Sequence, residues 1–380
     1  MKAYLDNMAT TPLDPEVAEF VRQRMVGVTG NPHALLHSFG RDAAAVVAEA
    51  RGMVAMSVGV RPDEIVFTPS ATISDNLAVL GVPRSRLRRG NHIIISAFEH
   101  PAVLLPAMYL AENEGFELDV VPVGADGIVD PEEVRARLRP TTTLVSVMAL
   151  NNELGTIQPI AEIAGVLKGS NAFFHTDAAQ APGRIAMDFV RHVDMMTLSS
   201  HKVYGPKGAA ALFIRRRKDI KPKPLFFGGG QENGFCSGTV NTEAVIGFAR
   251  AMQIAVASRQ RDCEHLEVLM DMLLKGILAA VPGSSVVGDR SRSVPHCVSV
   301  TFNGIDGETF LSGLARSGVA VSLGSACHGD PAAPSHVLTA AGLSAAAARR
   351  TIRFGLGRFT TVDDIEFALE QIGETISRIS

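Results

Sequence analysis

Between residues 65 and 214 the chain repeats one pattern, a short apolar run followed by a longer stretch with helical periodicity. The spacing predicts strands at 65–67, 92–97, 118–123, 143–150, 172–175, 193–198 and 209–214. Most of these runs are apolar throughout instead of alternating with polar residues, as expected of strands covered on both faces. Strands separated by helices argue for an α/β domain built on a mostly parallel sheet. Before it, residues 1–12 read as an extended lead-in stopped by Pro12. A helix follows to about Met25 with Asp14 as N-cap and Pro15 at its first position, and a second, alanine-rich helix covers 41–58. After Thr242 the pattern changes. A helix over 243–280 leads to strands at 284–287, 298–302 and 319–321 and helices at 307–317, 335–341 and 362–380, a smaller α+β unit. The expected division is a large domain of 13–255 and a small one of 1–12 with 256–380.

Composition removes several classes of function. At 46% hydrophobic and 20% charged residues the chain is globular, and a net charge of −3 gives no global surface for nucleic acid. The clusters Arg84–Arg89 and Arg215–Lys218 read as solvated loops, so direct nucleic-acid binding is not expected. No signal peptide opens the sequence and no apolar run reaches membrane-spanning length. Cys236, Cys263, Cys297 and Cys327 form no CxxC pair, which indicates neither a metal site nor a disulfide framework and fits a reducing cytoplasm.

Chemically capable residues follow successive predicted strands. Thr68-Pro-Ser-Ala-Thr-Ile-Ser-Asp-Asn76 opens a helix whose amides and hydroxyls could cradle a phosphate. Phe98-Glu-His-Pro101, Asn151-Asn-Glu153 and His175-Thr-Asp-Ala-Ala-Gln180 come next, and Leu198-Ser-Ser-His-Lys-Val-Tyr-Gly-Pro-Lys-Gly208 completes the set. Singly, each is as well explained by a helix cap or a turn. Together they supply a phosphate cradle, a flat ring, a carboxylate and an amine at the strand ends of one sheet, where open α/β sheets bind ligands. Pyridoxal 5'-phosphate needs those four things, and Lys202 is the lysine placed to form its Schiff base.

A second reactive element is Ser322-Leu-Gly-Ser-Ala-Cys327-His-Gly-Asp-Pro-Ala-Ala-Pro-Ser-His336, a Gly/Ser/Pro-rich loop that presents a cysteine between a strand and a helix. An ordinary free thiol is the alternative. Downstream, Ile352-Arg-Phe-Gly-Leu-Gly-Arg-Phe359 sets Arg353 among apolar neighbours, where a fixed guanidinium could hold a carboxylate.

In order along the chain, Tyr4-Leu-Asp-Asn-Met-Ala-Thr-Thr-Pro12, Asn31-Pro32, His37-Ser-Phe-Gly40, Glu99-His-Pro101, Asn151-Asn-Glu-Leu-Gly-Thr156, His175-Thr-Asp-Ala-Ala-Gln180, His201-Lys-Val-Tyr-Gly-Pro-Lys-Gly208, Gly228-Gly-Gly-Gln-Glu232, Gly324-Ser-Ala-Cys327 and Ile352-Arg-Phe359 resemble the NifS/IscS-type cysteine desulfurases of the class V aminotransferase group. The resemblance implies a PLP-dependent transferase of fold type I acting on L-cysteine as a homodimer. By it, Lys202 carries the cofactor, His100 stacks on its ring, Asp177 pairs with the pyridinium and Gln180 reaches the phenolic oxygen. Ala71, Thr72, Ser199 and His201 would serve the phosphate, with Thr239 arriving from the partner subunit. Asn152 and Arg353 would hold substrate, and Cys327 would take the sulfur for transfer to an acceptor protein. Ser70, Ile73 and Cys236 stand where the family usually has glycine, glutamate and arginine. The sequence ends without the C-terminal extension of housekeeping members, and its length and altered motifs resemble the branch serving DNA phosphorothioation. Two other readings stay open on the sequence, another fold type I lyase or aminotransferase and a catalytically silent scaffold.

Overall fold

A computed structural model describes residues 1–216, 220–324 and 333–379. The large sheet contains β2 (Ile65–Thr68), β3 (His92–Ser96), β4 (Glu117–Val121), β5 (Thr142–Ser146), β6 (Phe173–Asp177), β7 (Met195–Ser199) and β8 (Ala210–Ile214), following β1 (Ala3–Tyr4) in the chain. Its order is β2-β8-β7-β6-β5-β3-β4, and only β8 runs against the others. Every residue of β2, β3, β5, β6, β7 and β8 is buried, because helices cover both faces. Of the run expected to be a strand over 143–150, the regular strand ends at Ser146; the Val147 and Ala149 amides still donate to the His175 and Asp177 carbonyls of β6, and the Met148 amide between them donates to Glu99.

The smaller unit holds β9 (Ser285–Val286), β10 (Cys297–Thr301), β11 (Val319–Ala320), β12 (Ser322–Leu323) and β13 (Thr351–Gly355). An antiparallel sheet runs β12-β13-β10-β9, and β1 pairs in parallel with β11. β1 falls within the stretch 1–12 read as extended; β12, two residues long, is not marked by the sequence, and β13 is legible there only as an arginine among apolar neighbours.

The helix Thr242–Ala280 serves two cores. Its first half, Ala244 to Ala255, packs into the core beneath the large sheet. From Leu266 to Ile277 it packs instead with Phe302, Phe310, Phe354 and Ile372 of the smaller unit. Ala3 and Leu5 join that second core, so the segment after them crosses from one unit to the other directly over the sheet's carboxyl edge.

Candidate active site

The carboxyl ends of β2, β3, β5, β6 and β7 open on one cavity of about 250 Å3. Ala71 and Thr72 reach it after β2, His100 after β3, Asn152 after β5, Asp177 and Gln180 from β6 onward, and Ser199, His201 and Lys202 from β7 onward. Arg353 enters from β13. Thr239 lies elsewhere, on a second cavity of about 210 Å3 shared with Phe67, Glu232 and Cys236. Cys327 lies outside the described residues.

At the phosphate-like end, the Ser70 hydroxyl accepts the Ile73 amide at 3.3 Å and so caps the helix Ala71–Val79, aiming its free amides into the cavity. The residue that departs from the family pattern thus makes the helix start. The Ser199 hydroxyl beside it is buried without a partner. His201 Nδ1 meets the Thr10 hydroxyl at 3.0 Å. Burial, then the nearby Lys202 and Lys207, pushes its pKa down to about 4, which keeps the ring neutral. A helix N-terminus, a hydroxyl and a neutral imidazole suit an anion.

Lys202 ends the single turn Ser200–Lys202 that follows β7. Its Nζ donates to the Met8 and Ala9 carbonyls at 2.7 and 2.8 Å. Two residues on, Tyr204 sits at φ 67°, a left-handed conformation that is strained for a tyrosine. The lead-in segment holds it there. Thr11 Oγ1 donates to the His201 carbonyl at 3.0 Å and accepts the Tyr204 amide at 2.7 Å, and the Asp14 amide donates to the Tyr204 carbonyl at 3.0 Å.

Opposite the lysine are two buried carboxyls. Asp177 accepts the Ala179 amide at 2.8 Å. Its pKa is raised by burial, against the lowering effects of that amide and of Lys202. Asp75, from the helix above, is raised well above the usual range by burial and then by the charge of Asp177. Behind them His175 lies between the Ser146 and Thr197 hydroxyls at 2.8 and 3.1 Å, and burial pushes it down to about 3. A cationic group set against Asp177 would restore its ionised form. Gln180 donates to the Met8 carbonyl at 2.9 Å and keeps a buried Oε1 without a partner. His100 Nδ1 accepts the Ala102 amide at 3.1 Å, which assigns the ring proton to Nε2.

Arg353 closes the far side and is 2% exposed. Its Nη1 donates to the Asn152 carbonyl at 3.1 Å, its Nη2 pairs with Asp6 at 2.8 Å, and its buried Nε has no partner. A guanidinium fixed on two sides with its Nε–H unpartnered is suited to a carboxylate.

Taken together, the anion end, the unpartnered Ser199 and Gln180 atoms and the buried Asp177 fit a phosphorylated, cationic ring of the pyridoxal 5'-phosphate kind. Asp6, Asp75, Glu99 and Glu153 were not singled out from the sequence, although Asp75, Glu99 and Glu153 lie inside strand-end stretches quoted for other residues. Glu99 accepts the Met148 amide at 2.8 Å and the Ser96 hydroxyl, and burial pushes it up to about 8. Burial pushes Glu153 up to about 7, against the lowering effects of the Ser335 hydroxyl and Arg353.

Residues 3–367 match the profile of the family described as aminotransferase class-V. The chain is 42% identical over 374 residues to "Cysteine desulfurase, mitochondrial" of Eremothecium gossypii, covering 98% of this chain and 76% of that protein. Among solved structures it resembles a NifS-like protein with a TM-score of 0.91 and 36% identity, covering 100% of both chains. It also resembles SspA in complex with cysteine, with a TM-score of 0.82 and 34% identity over 94% of this chain and 100% of that one.

Proposed function

The chain belongs to the aminotransferase class-V family, and from that membership we infer that it is a cysteine desulfurase converting L-cysteine to L-alanine with a persulfide formed on Cys327. The observation that carries the reading is the meeting of Lys202, Asp177 and Arg353 in one cavity. Pyridoxal 5'-phosphate is the cofactor of this reading, and when bound it draws electrons from the substrate's α-carbon. Lys202 would attach it, Asp177 would pair with its ring nitrogen, His100 would stack on the ring and Gln180 would reach the phenolic oxygen, while the helix start at Ala71 and Thr72, with Ser199 and His201, would take the phosphate.

Arg353 and Asn152 bind the substrate carboxylate and so aim the α-carbon at the lysine. Lys202 moves the α-proton. The Cys327 thiolate then attacks the substrate's sulfur. The Cβ–S bond breaks, a new S–S bond forms on Cys327, and the electron pair left on carbon takes a proton to give alanine. His100, with its proton on Nε2, serves as proton donor or acceptor near that thiol.

The active species is a homodimer in which Thr239 completes the partner's phosphate site. Its position on a separate cavity of its own chain, and the exposed Leu36, Phe226 and Phe227, support that arrangement. The separate apolar core of the smaller unit supports a division into 13–255 and 1–12 with 256–380. Among the described residues no helix is long and apolar enough to cross a membrane, and the proposed location is the reducing cytoplasm. The persulfide passes to an acceptor protein of iron–sulfur assembly, tRNA thiolation or DNA phosphorothioation. Labelled sulfur traced in a cell extract identifies which.

The test of the reading is the visible spectrum of the purified protein. It is expected to be yellow, and borohydride is expected to fix the cofactor on Lys202. Lys202→Ala then loses the covalent adduct. Recovery of the reduced adduct on another lysine rejects the assignment.

A further inference from the structure

Asp75, in the helix Ala71–Val79, is a carboxyl that the protein alone leaves bare. It is 1% exposed, and neither of its oxygens has a hydrogen-bond partner. The His175 Nε2 stands 3.6 Å from its Oδ1 and is already engaged with the Thr197 hydroxyl at 3.1 Å. Among the described residues no lysine or arginine forms an ion pair with it. Buried polar groups in folded proteins are nearly always bonded, and one left bare costs stability that an apolar side chain of the same shape would not. A ligand that supplies the missing partner recovers that cost. Asp75 lines the Lys202 cavity, and so does Asp177. Burial and then the charge of Asp177 hold Asp75 in its protonated form, with Glu99 adding to the effect and Thr197 offsetting part of it. Lys202 instead favours the ionised form of Asp177. One acid beside one carboxylate is the stable division of two such groups in a dry pocket.

We propose that Asp75 and Asp177 form one binding site for the ring nitrogen of the cofactor, a carboxyl pair that carries a single negative charge and so matches a single protonated ring. The proposal rests on the cofactor reading above and adds to it a second binding residue. The N–H of the ring supplies the donor that Asp75 lacks in the protein alone. Asp75 therefore trades fold stability for hold on the cofactor, and the two quantities should move in opposite directions when it is replaced.

The experiment uses the full chain stripped of cofactor and titrated with two probes, pyridoxal 5'-phosphate and its analogue in which the ring nitrogen is replaced by C–H. Asp75→Leu is expected to weaken binding of pyridoxal 5'-phosphate roughly tenfold, as loss of a hydrogen bond to a charged group implies, and to leave binding of the analogue within about twofold. The cofactor-free Asp75→Leu protein is expected to unfold at higher urea than the cofactor-free wild type. Asp75→Asn, which stays neutral and still offers an oxygen, is expected to bind pyridoxal 5'-phosphate within about threefold of the wild type. Asp75→Ala takes the place of the leucine variant if that one does not fold, with the same split between the two probes. Equal losses for both probes would mean that the substitution disturbs the site generally, because coupling between residue and ring nitrogen appears only as a difference between them, and would overturn the inference. Unchanged binding of pyridoxal 5'-phosphate to Asp75→Leu, or a tenfold loss in Asp75→Asn, also overturns it while leaving the cofactor reading intact. A wild-type chain that takes up no pyridoxal 5'-phosphate overturns the cofactor reading and this inference with it.

Discussion

At the scale of single residues, the site is held by buried charges whose partners are few. Among the described residues Arg353 pairs with one carboxylate, that of Asp6 at 2.8 Å, and both sit largely out of water. Removing one member of a buried pair strands the other, so Asp6→Ala is expected to cost roughly 3 kcal/mol in urea unfolding and to raise KM for L-cysteine more than it lowers kcat. An unchanged KM would mean that Asp6 does not set the guanidinium's position. Glu99 gives a pH signature. Its folded pKa of about 8 lies above the unfolded value near ~4.3, so the folded protein holds a proton that the unfolded chain releases. The stability gained from this is fully present below the unfolded value and is lost as pH rises through the folded one. The urea midpoint of the wild type is therefore expected to fall between pH 6 and 9, and Glu99→Gln, which stays neutral, should fall less. Equal slopes would show that Glu99 is ionised throughout.

At the scale of elements, the lead-in segment is the part whose importance exceeds its regularity. Two residues of it form strand, yet its residues bond to Arg353, Gln180, Lys202 and the Tyr204 backbone. Beyond it, Arg358 ties the units together. It pairs with Asp262 of the long helix at 2.7 Å and with Asp14 at 3.0 Å, and its charge lies 4.6 Å from the Tyr204 ring centroid. Arg358→Ala removes the arginine paired with the nearly buried Asp14, leaves Asp262 with Arg261 as its remaining arginine partner at 2.9 Å, and is expected to destabilise by about 3 kcal/mol and to weaken cofactor retention, measured by dialysis, through the strained turn at Tyr204. The central strands and the long helix were legible because apolar runs and helical periodicity are local signals. The lead-in was not, since its bonds are to residues some 170 to 350 positions away and leave no periodic trace. Likewise Lys202 and Asp177 could be named from type and strand-end position, and Arg353 as a guanidinium among apolar neighbours. Glu153 and Asp75 could not, because what sets them apart is burial and the neighbours that meet them in three dimensions.

At the scale of the whole molecule, the proposed enzyme works as two chains, each with one sulfur carrier. Sedimentation should find a dimer, and Thr239→Ala should weaken cofactor binding even though Thr239 lies outside its own chain's Lys202 cavity. A fully loaded, active monomer would refute that. Cys236, Cys263 and Cys297 are raised in pKa by burial, Cys297 up to about 12, which leaves them poor nucleophiles in this fold. The most direct test of the central claim is therefore mass spectrometry of the wild-type protein after brief exposure to L-cysteine without reductant. The expected result is one added sulfur on the peptide containing Cys327, absent in Cys327→Ser while that variant still binds cofactor and responds to L-cysteine. Added sulfur found chiefly on Cys236, with Cys327→Ser still turning over, would contradict it.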